Sequence, residues 1–378
     1  MNSDVLIIGG GVIGLSIARE LHKNGVRRIT LIEKGVVGQE SSWAAAGMLA
    51  PAAEADEGGP FFEMCCESRD LYPKFAAELF DETVVDIELD RTGTFYLAFT
   101  DEDVSELRAR YDWQQKAGLT VELLSAEETR RAEPFVSPDV REALIFPNDW
   151  QVENRKLLAA LRCYAELSGI KIIENTHVER LTADGCKITG AETAEVKFVA
   201  DKTVIATGAW TSLIKLGLSE LPFKISPVRG QIVAFQTAER LFRHVVYSRR
   251  GYIVPRNNGS ILAGSTSENA GFDKSVTKSA TTQLCEIACE IAPCISSLEI
   301  ADQWTGLRPF AADGLPILGL ISGLDDLFIT TAHYRNGILL APLTAQIAAD
   351  KLANDVDSKY FADFGPDRFK ARGVGTSI

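Results

Sequence analysis

The first forty residues follow a simple hydrophobic pattern. Residues 5–8 form a continuous apolar run, of the kind that a parallel sheet buries on both faces. Residues 12–21 then carry apolar side chains at helical spacing up to an Asn-Gly pair, and residues 29–32 form a second apolar run. This order predicts a β-α-β unit, with Glu33 at the carboxyl end of its second strand.

Farther along the chain, strand-like and helix-like patterns alternate. Strand-like runs lie at 94–99, 144–146, 170–174, 178–181, 203–206, 225–235, 252–255, 261–264 and 327–332, and helical stretches lie at 101–117, 154–167 and beyond 337. The alternation predicts an α/β fold (α+β overall), in which a Rossmann-like domain is interleaved with a domain built on a mixed or antiparallel sheet. We place residues 1–82, 150–219 and 300–378 in the first domain, and 83–149 and 220–299 in the second.

Composition narrows the classes of function. The chain has 378 residues and a formal net charge of −13, so we expect nucleic acids and anionic membranes to be repelled. It has no apolar run long enough to span a membrane and no basic, cleavable leader at its first residues. We therefore expect a cytoplasmic protein.

Cysteines and histidines give no sign of a metal site. The seven cysteines form no CxxC pair, and the four histidines do not cluster with them. We expect reduced thiols, with Cys285, Cys289 and Cys294 acting as small core residues at helical spacing.

A glycine-rich turn follows the first predicted strand. Residues 9–14 fit G-x-G-x-x-G, in which Gly9 permits a tight turn and Gly11 lets the backbone approach a pyrophosphate. Gly14 allows the helix to pack closely on the strand, and the helix N-terminus favours an anion. Glu33 can accept hydrogen bonds from a ribose. Together these features predict dinucleotide binding.

The β-α-β unit alone fits either NAD or FAD. Residues 38–50 form a run of small residues that can lie against a flat ligand, with Ser41 and Ser42 available to phosphate oxygens. Residues 203–210 form an apolar strand that ends in a small-residue turn at Gly208, which commonly returns the chain to the dinucleotide sheet in flavoproteins. Together these two features favour non-covalently bound FAD.

The last third of the chain carries further candidate chemistry. Residues 303–309 and 313–319 precede a strand, and residues 333–342 then lead into a helix. The N-terminus of that helix directs a positive dipole at whatever lies before Gly337. A helix end placed there would stabilise the negative charge of a reduced flavin.

These segments resemble the glycine oxidases of the thiamine-pathway type, within the D-amino-acid oxidase family of flavoproteins. The resemblance extends over nearly the whole chain and in the family's order. It is carried by residues 9–14, 44–49, 252–256, 306–309 and 335–342.

The resemblance implies an FAD domain alternating with a substrate domain, and oxidative deamination of glycine and other small amines or D-amino acids. Oxygen would reoxidise the flavin to give hydrogen peroxide, and the imine product would be hydrolysed or enter thiazole synthesis. Arg308 and Tyr252 would bind the substrate carboxylate, with Arg335 beside the flavin and the substrate. Contacts with FAD are implied for Val12, Ile13, Glu33, Lys34, Ser41, Ser42, Ala46, Gly47, Met48, Val178, His333, Tyr334, Arg335, Asn336, Gly337, Ile338 and Leu339. The family also suggests a homotetramer.

Two positions depart from a known glycine oxidase. It has a histidine two residues before the active-site tyrosine and a methionine fifteen residues after it, where this chain has Arg250 and Ser267. These departures leave the preferred amino acid open.

Hydride transfer from Cα to flavin N5 needs alignment and a deprotonated amine but no side-chain acid or base, so none is assigned. The alternative role for Arg308 is a structural salt bridge. His333 is expected to pack against the flavin, and a catalytic base is its alternative role. Alternative functions are a sarcosine-oxidase-like or D-amino-acid dehydrogenase-like flavoenzyme with another acceptor, or the FAD subunit of a hetero-oligomeric glycine-oxidising complex.

Overall fold

The computed structural model describes residues 2–216 and 220–370. Within them the chain forms two eight-stranded sheets and a short two-stranded one, with helices packed around them. The predicted α/β fold is confirmed. The predicted domain boundary at 219 and the last eight residues lie outside the described residues.

The strands are β1 (Asn2–Ile8), β2 (Ile29–Ile32), β3 (Met48–Leu49), β4 (Thr94–Ala98), β5 (Glu122–Ser125), β6 (Glu142–Phe146), β7 (Trp150–Gln151), β8 (Lys171–Ile173), β9 (Arg180–Asp184), β10 (Lys187–Glu192), β11 (Lys197–Ile205), β12 (Ile225–Gln236), β13 (Val245–Ser248), β14 (Gly251–Pro255), β15 (Ser260–Gly264), β16 (Ile300–Ala311), β17 (Ile317–Ile321) and β18 (Leu324–Thr331).

The α-helices are α1 (Val12–Lys23), α2 (Ser41–Ala44), α3 (Pro51–Glu54), α4 (Pro60–Thr83), α5 (Asp101–Lys116), α6 (Ala126–Ala132), α7 (Asn154–Leu167), α8 (Lys278–Ile291), α9 (Gly337–Asn354) and α10 (Phe361–Phe364). Short 3-10 helices cover Gly208–Leu213, Pro293–Ser297 and Pro366–Phe369. None of these helices is both long enough and apolar enough to cross a membrane.

The first sheet has a parallel centre in the order β8-β2-β1-β11-β18. Its strands therefore end at one common edge, where open α/β sheets bind their ligands. Val5 and Ile7 of β1 face a core formed with α1, α4, α7 and α9, whereas Leu6 and Ile8 face a second core on the other side. Burial on both faces explains why residues 5–8 of this strand are all apolar.

The second sheet has the order β16-β12-β15-β14-β13-β4-β6-β5 and is antiparallel except for the β13–β4 pair. Helix α8 covers one face. The other face packs against small residues between Ala44 and Ala53, which belong to the segment that follows β2. This contact brings the second sheet against the ligand-binding edge of the first.

Strand β16 belongs by its pairing to the second sheet. The sequence interpretation assigned everything from residue 300 onward to the first domain, but β16 pairs with β12 of the second sheet from Ile225↔Ala311 to Phe235↔Ile300. The chain returns to the first sheet only with β17. The apolar pattern could not show this, because a strand gives the same pattern in either sheet.

Candidate active site

Two neighbouring clefts lie between the sheets. The larger, the sheet-end cleft, has a volume of about 1260 Å³ when its solvent-open part is counted. It is reached by Ile8, Ile32, Ala206 and Thr331 at or just beyond the ends of the parallel strands. The small cleft has a volume of about 700 Å³ counted in the same way and lies toward the second sheet. The two clefts share five lining residues: Ser41, Ala45, Tyr334, Arg335 and Ile338.

The glycine turn at the sheet-end cleft is shaped by backbone contacts. Gly9 has a φ of +110°, and a Cβ at this position would lie 2.4 Å from the carbonyl oxygen of Ala206. A Cβ on Gly14 would lie 2.0 Å from the carbonyl oxygen of Gly9. No larger residue fits at either position, so strand, turn and helix pack as a dinucleotide-binding turn requires.

The start of α1 faces this cleft together with two oxygen-bearing side chains. Ser42 Oγ accepts a hydrogen bond of 3.0 Å from the N–H of Val12. The carboxylate of Glu33 accepts the N–H of Gly10 at 2.8 Å through Oε2 and the N–H of Gly35 at 3.0 Å through Oε1. Each carboxylate oxygen keeps a free lone pair, so Glu33 can still accept a ribose hydroxyl.

The start of α9 also lines the sheet-end cleft. Asn336 is the N-cap of this helix, its side chain does not cap it, and its first turn holds no acidic residue. Ala332 and Tyr334, just before it, have left-handed φ values of 59° and 48°. Such backbone is costly outside glycine and concentrates at functional sites. Two helix N-termini thus open on one cleft, and both favour anionic groups.

His333 is buried on the wall of this cleft. Its Nε2 lies 3.2 Å from Thr344 Oγ1, and burial lowers its pKa to about 4. The ring is therefore neutral at neutral pH. It lines the sheet-end cleft and not the small cleft, which supports packing against a bound cofactor rather than proton transfer.

Arg308 projects from β16 into the small cleft. Its Nη1 donates to the carbonyl oxygen of Thr266 at 3.0 Å and its Nη2 to Ser265 Oγ at 2.7 Å. Burial lowers the pKa of Arg308, but a guanidinium stays charged in proteins. It forms no ion pair within residues 2–216 and 220–370, so the structural salt-bridge role is not observed.

Tyr252 lies next to Arg308, at the end of β14 nearest the cleft. Its side chain is buried, and burial raises its pKa. A Cβ on Gly264, its partner across the strands, would lie 2.6 Å from Tyr252 Oη, so the ring lies directly over this glycine. Tyr252 is thus a neutral hydrogen-bond donor beside a buried cation.

Arg335 lines both clefts, and its guanidinium lies 5.5 Å from the ring centre of Tyr334. Burial opposes the charge, but Glu54 and Tyr334 outweigh it and raise the pKa of Arg335. A second cation is therefore held where the two clefts meet.

Most of the predicted site residues line one of the two clefts. Those lining the sheet-end cleft are Gly9, Gly11, Val12, Ile13, Glu33, Lys34, Ser41, Ser42, Val178, Gly208, His333, Tyr334, Arg335, Gly337 and Ile338. Those lining the small cleft include Ala46, Gly47, Met48, Tyr252 and Arg308.

Three predicted residues line neither cleft. Gly14 packs against the backbone of Gly9 in the glycine turn, and Asn336 immediately precedes α9. Leu339 is buried in the core, where its carbonyl oxygen accepts a hydrogen bond from Ser68.

The two positions that depart from the known pattern differ in placement. Arg250 forms an ion pair with Glu290 at the surface and lines neither cleft. Ser267 Oγ lies 3.4 Å from Tyr334 Oη, so it approaches the junction of the two clefts.

Sequence analysis missed several lining residues. Glu54 is the acidic residue of the small cleft, and Gly230 lies against the guanidinium of Arg308. Glu54 had a weak signal, because it follows closely after the run of small residues at 38–50 in which ligand contacts were predicted. Gly230 had none, because its role depends on a strand whose paired residues lie more than seventy positions away in the sequence.

The residues present fit FAD. The turn leaves room for a diphosphate, two helix N-termini face the cleft, and Glu33 is held at the ribose position of such folds. Within the described residues, no group of three or more His, Cys, Asp or Glu side chains could hold a metal ion.

Residues 4–351 match the model of a protein family described as DAO, FAD dependent oxidoreductase. The chain is 33% identical over 356 residues to a glycine oxidase of Pseudomonas aeruginosa, covering 93% of this chain and 95% of that protein. It is 33% identical over 373 residues to a bifunctional protein ThiO/ThiG of Synechocystis sp., covering 97% of this chain and 54% of that protein. Its fold matches the crystal structure of glycine oxidase from Geobacillus kaustophilus with a TM-score of 0.91 and 35% identity, covering 97% of this chain and 99% of that one.

Proposed function

This chain belongs to the family of FAD-dependent oxidoreductases, and we propose that it oxidises glycine and other small amines or D-amino acids. The reaction is glycine + O2 + H2O → glyoxylate + NH3 + H2O2. The observation that carries the proposal is Arg308, a buried cation without an ion pair that faces a small cleft opening onto the cofactor cleft. A substrate carboxylate is the anion that fits it.

The hydrogen bonds of Arg308 orient its guanidinium to bind a substrate carboxylate. Two of its donors are used by Thr266 and Ser265, and the remaining donors are left for a ligand. Tyr252 adds a neutral hydroxyl next to this cation. A carboxylate bound by both residues leaves the Cα and the amino group of the substrate as the parts free to point toward the cofactor.

No side chain is assigned as an acid or base. FAD, when bound, supplies the two-electron acceptor. The protein's part is to hold the carboxylate, exclude water through the apolar wall of Met48, Ile232 and Ile338, and keep His333 uncharged.

We propose that FAD is held non-covalently by the residues that line the sheet-end cleft. Gly9, Gly11 and the start of α1 would take the diphosphate, Glu33 the ribose, and the start of α9 the anionic edge of the ring system. Lys34 lies 4.5 Å from the ring centre of Trp210 at the same cleft, where both side chains can cover the adenosine half.

The wider setting follows from the same resemblance. We propose an FAD domain built on the first sheet and a substrate domain built on the second, with the last boundary moved to the end of β16. We further propose a cytoplasmic homotetramer without nucleic-acid partners, whose imine product supplies thiazole synthesis.

A substrate panel tests the proposal. The purified chain should be yellow and should form one peroxide per amine oxidised with glycine, sarcosine and D-alanine, with the highest kcat/KM for glycine. Reduction of a dye without peroxide would instead indicate a dehydrogenase. Turnover only after addition of a partner would indicate a subunit of a complex, and colourless protein that takes up no added FAD would contradict the proposal as a whole.

A further inference from the structure

The small cleft contains an acidic residue as well as its two arginines. We propose that Glu54 binds the amino group of the substrate, so that the cleft recognises a zwitterion by a cation at one end and an anion at the other. This inference rests on the proposed function, because it assigns the second polar group of the same substrate.

The position of Glu54 is fixed by its neighbours. It is the last residue of α3, and its Oε1 accepts a hydrogen bond of 2.8 Å from Tyr247 Oη. The Tyr247 hydroxyl also lies 2.9 Å from the sulfur of Met48, which lines the same cleft. The carboxylate is therefore held in place on the wall of the cleft.

The backbone of α3, which carries Glu54, is held by a buried carboxylate. Asp149 is fully buried, and its two carboxylate oxygens accept the N–H groups of Ala52 and Ala53 at 3.3 and 2.7 Å. These bonds hold the backbone of the two residues that precede Glu54. Such support is the usual arrangement behind a group that must meet a ligand in one geometry.

The charges around the small cleft are incomplete without a ligand. Its charged lining residues in the described chain are Arg308, Arg335 and Glu54, and these three form no ion pair with one another. A half-buried carboxylate loses hydration and is stabilised by a cation placed against it. An amino acid supplies a partner for each end, since its carboxylate can face Arg308 and its ammonium group can face Glu54. The ammonium group then releases a proton to solvent, because hydride transfer needs the neutral amine.

Recognition of both ends explains why a pocket for such a small molecule carries so much charge. Glycine offers almost no apolar surface, so its affinity must come from its two charged groups. A carboxylic acid without an amino group would satisfy Arg308 but leave Glu54 without a cation in direct contact, because Arg335 influences Glu54 only from beyond ion-pair distance. We therefore expect the cleft to prefer amino acids over hydroxy acids of the same size.

The test separates the two ends of the substrate. Glu54→Gln keeps the shape and the Tyr247 contact but removes the charge, and Glu54→Asp keeps the charge on a shorter side chain. Glu57→Gln, three residues away at an exposed position, is the matched control. For each variant we would measure KM and kcat for glycine, and the Kd of glycolate, the hydroxy analogue, from the change in the flavin absorption spectrum.

We expect Glu54→Gln to raise the KM for glycine at least about tenfold, the effect of losing a charge-assisted hydrogen bond. Its Kd for glycolate should stay the same or fall, because a negative charge near an anion is removed. Glu54→Asp should raise the KM for glycine less, and Glu57→Gln should change neither constant.

The inference is overturned if Glu54→Gln weakens glycine and glycolate equally or changes neither. Equal bound FAD and equal melting temperature of the variants exclude misfolding as the cause. If the unaltered chain binds glycolate but does not oxidise glycine, the proposed function fails instead, so the two failures are distinguishable.

Discussion

Gly230 lies directly against the guanidinium of Arg308. A Cβ built on Gly230 would lie 2.2 Å from Nη2 and 2.3 Å from both Cζ and Nη1. The two residues lie on the paired strands β12 and β16, where Gly230 is opposite Gly306 and Arg308 is opposite Val228. The missing side chain of Gly230 therefore provides the space that the Arg308 guanidinium, the proposed carboxylate-binding group, occupies.

The first prediction concerns this space. Gly230→Ala should displace the Arg308 guanidinium and raise the KM for glycine at least about tenfold, because charge-assisted hydrogen bonds depend on alignment. Gly58→Ala is the control, since nothing lies within 4 Å of a Cβ there. Steady-state kinetics of both variants check the prediction, which is wrong if the two behave alike.

The second prediction separates charge from shape at Arg308. Arg308→Lys keeps a positive charge but loses the planar fork that binds a carboxylate through two parallel bonds. The KM for glycine should rise about tenfold or more, as expected from losing a bond worth about 1.5–3 kcal/mol. Bound FAD should be unchanged, and an unchanged KM would refute the role of Arg308.

The third prediction uses the titration of Asp149. Burial raises the pKa of this carboxyl to about 7, against an ordinary value of 3.8. Between these values the folded chain keeps a proton that the unfolded chain has released, so the group's contribution to stability falls as the pH rises. Asp149→Asn removes the titrating carboxyl group, so the variant does not lose this contribution to stability as the pH rises.

The melting temperature of Asp149→Asn, minus that of the unaltered chain, should therefore increase from pH 5 to pH 7 and then level off. The underlying change is up to about 1.4 kcal/mol per pH unit. Asp112→Asn, at an exposed position on α5, should give a difference that does not vary with pH. Parallel melting curves for Asp149→Asn and the unaltered chain would contradict the assignment.

The fourth prediction concerns Arg256, a buried arginine that lines neither cleft. It donates to the carbonyl oxygens of Ala46 and Val152 at 2.7 and 2.8 Å and to the side chains of Gln151 and Asn154, both at 3.1 Å. Arg256→Met should lower stability by roughly 3 kcal/mol, because buried carbonyl groups lose their partner.

Since Ala46 is part of the cleft wall, Arg256→Met should also weaken FAD retention. Denaturant unfolding and the flavin content of the purified protein measure these two effects. Arg27→Met, at an exposed position, is the control. Full stability of Arg256→Met would show that the segment after Ala44 is held by other contacts.

Local features were predictable because their signals lie within one short stretch. The β-α-β unit, the glycine turn and Glu33 follow one another in the first thirty-three residues, and the structure brings them together at the sheet-end cleft. The proposed substrate-binding role of Arg308 could be inferred only through the family resemblance. An arginine in a strand does not by itself reveal whether an acidic residue will pair with it.

Non-local features could not be predicted. The exposed or buried state of Glu54 depends on Tyr247, which lies almost two hundred residues away. Helix α4 escaped prediction because its polar and apolar residues are mixed, although it is buried against α9 through residues such as Met64 and Tyr72. Likewise, β16 could be assigned to a sheet only after its partner β12 was known.

The strand that carries Arg308 is clamped from two directions. Along its length, β16 is hydrogen-bonded to β12. On its other side it contacts the segment that follows β2, where Trp304 Nε1 donates to the carbonyl oxygen of Ala44 at 3.0 Å. Ser41 Oγ of the same segment donates to the carbonyl oxygen of Leu307. In the proposed role of Arg308, this clamp fixes the position at which the carboxylate of every amino acid substrate is bound. Redesign toward bulkier amines should therefore enlarge the walls at Ile232 or Met48 and leave this strand untouched, since any slip of its register would misplace all substrates alike.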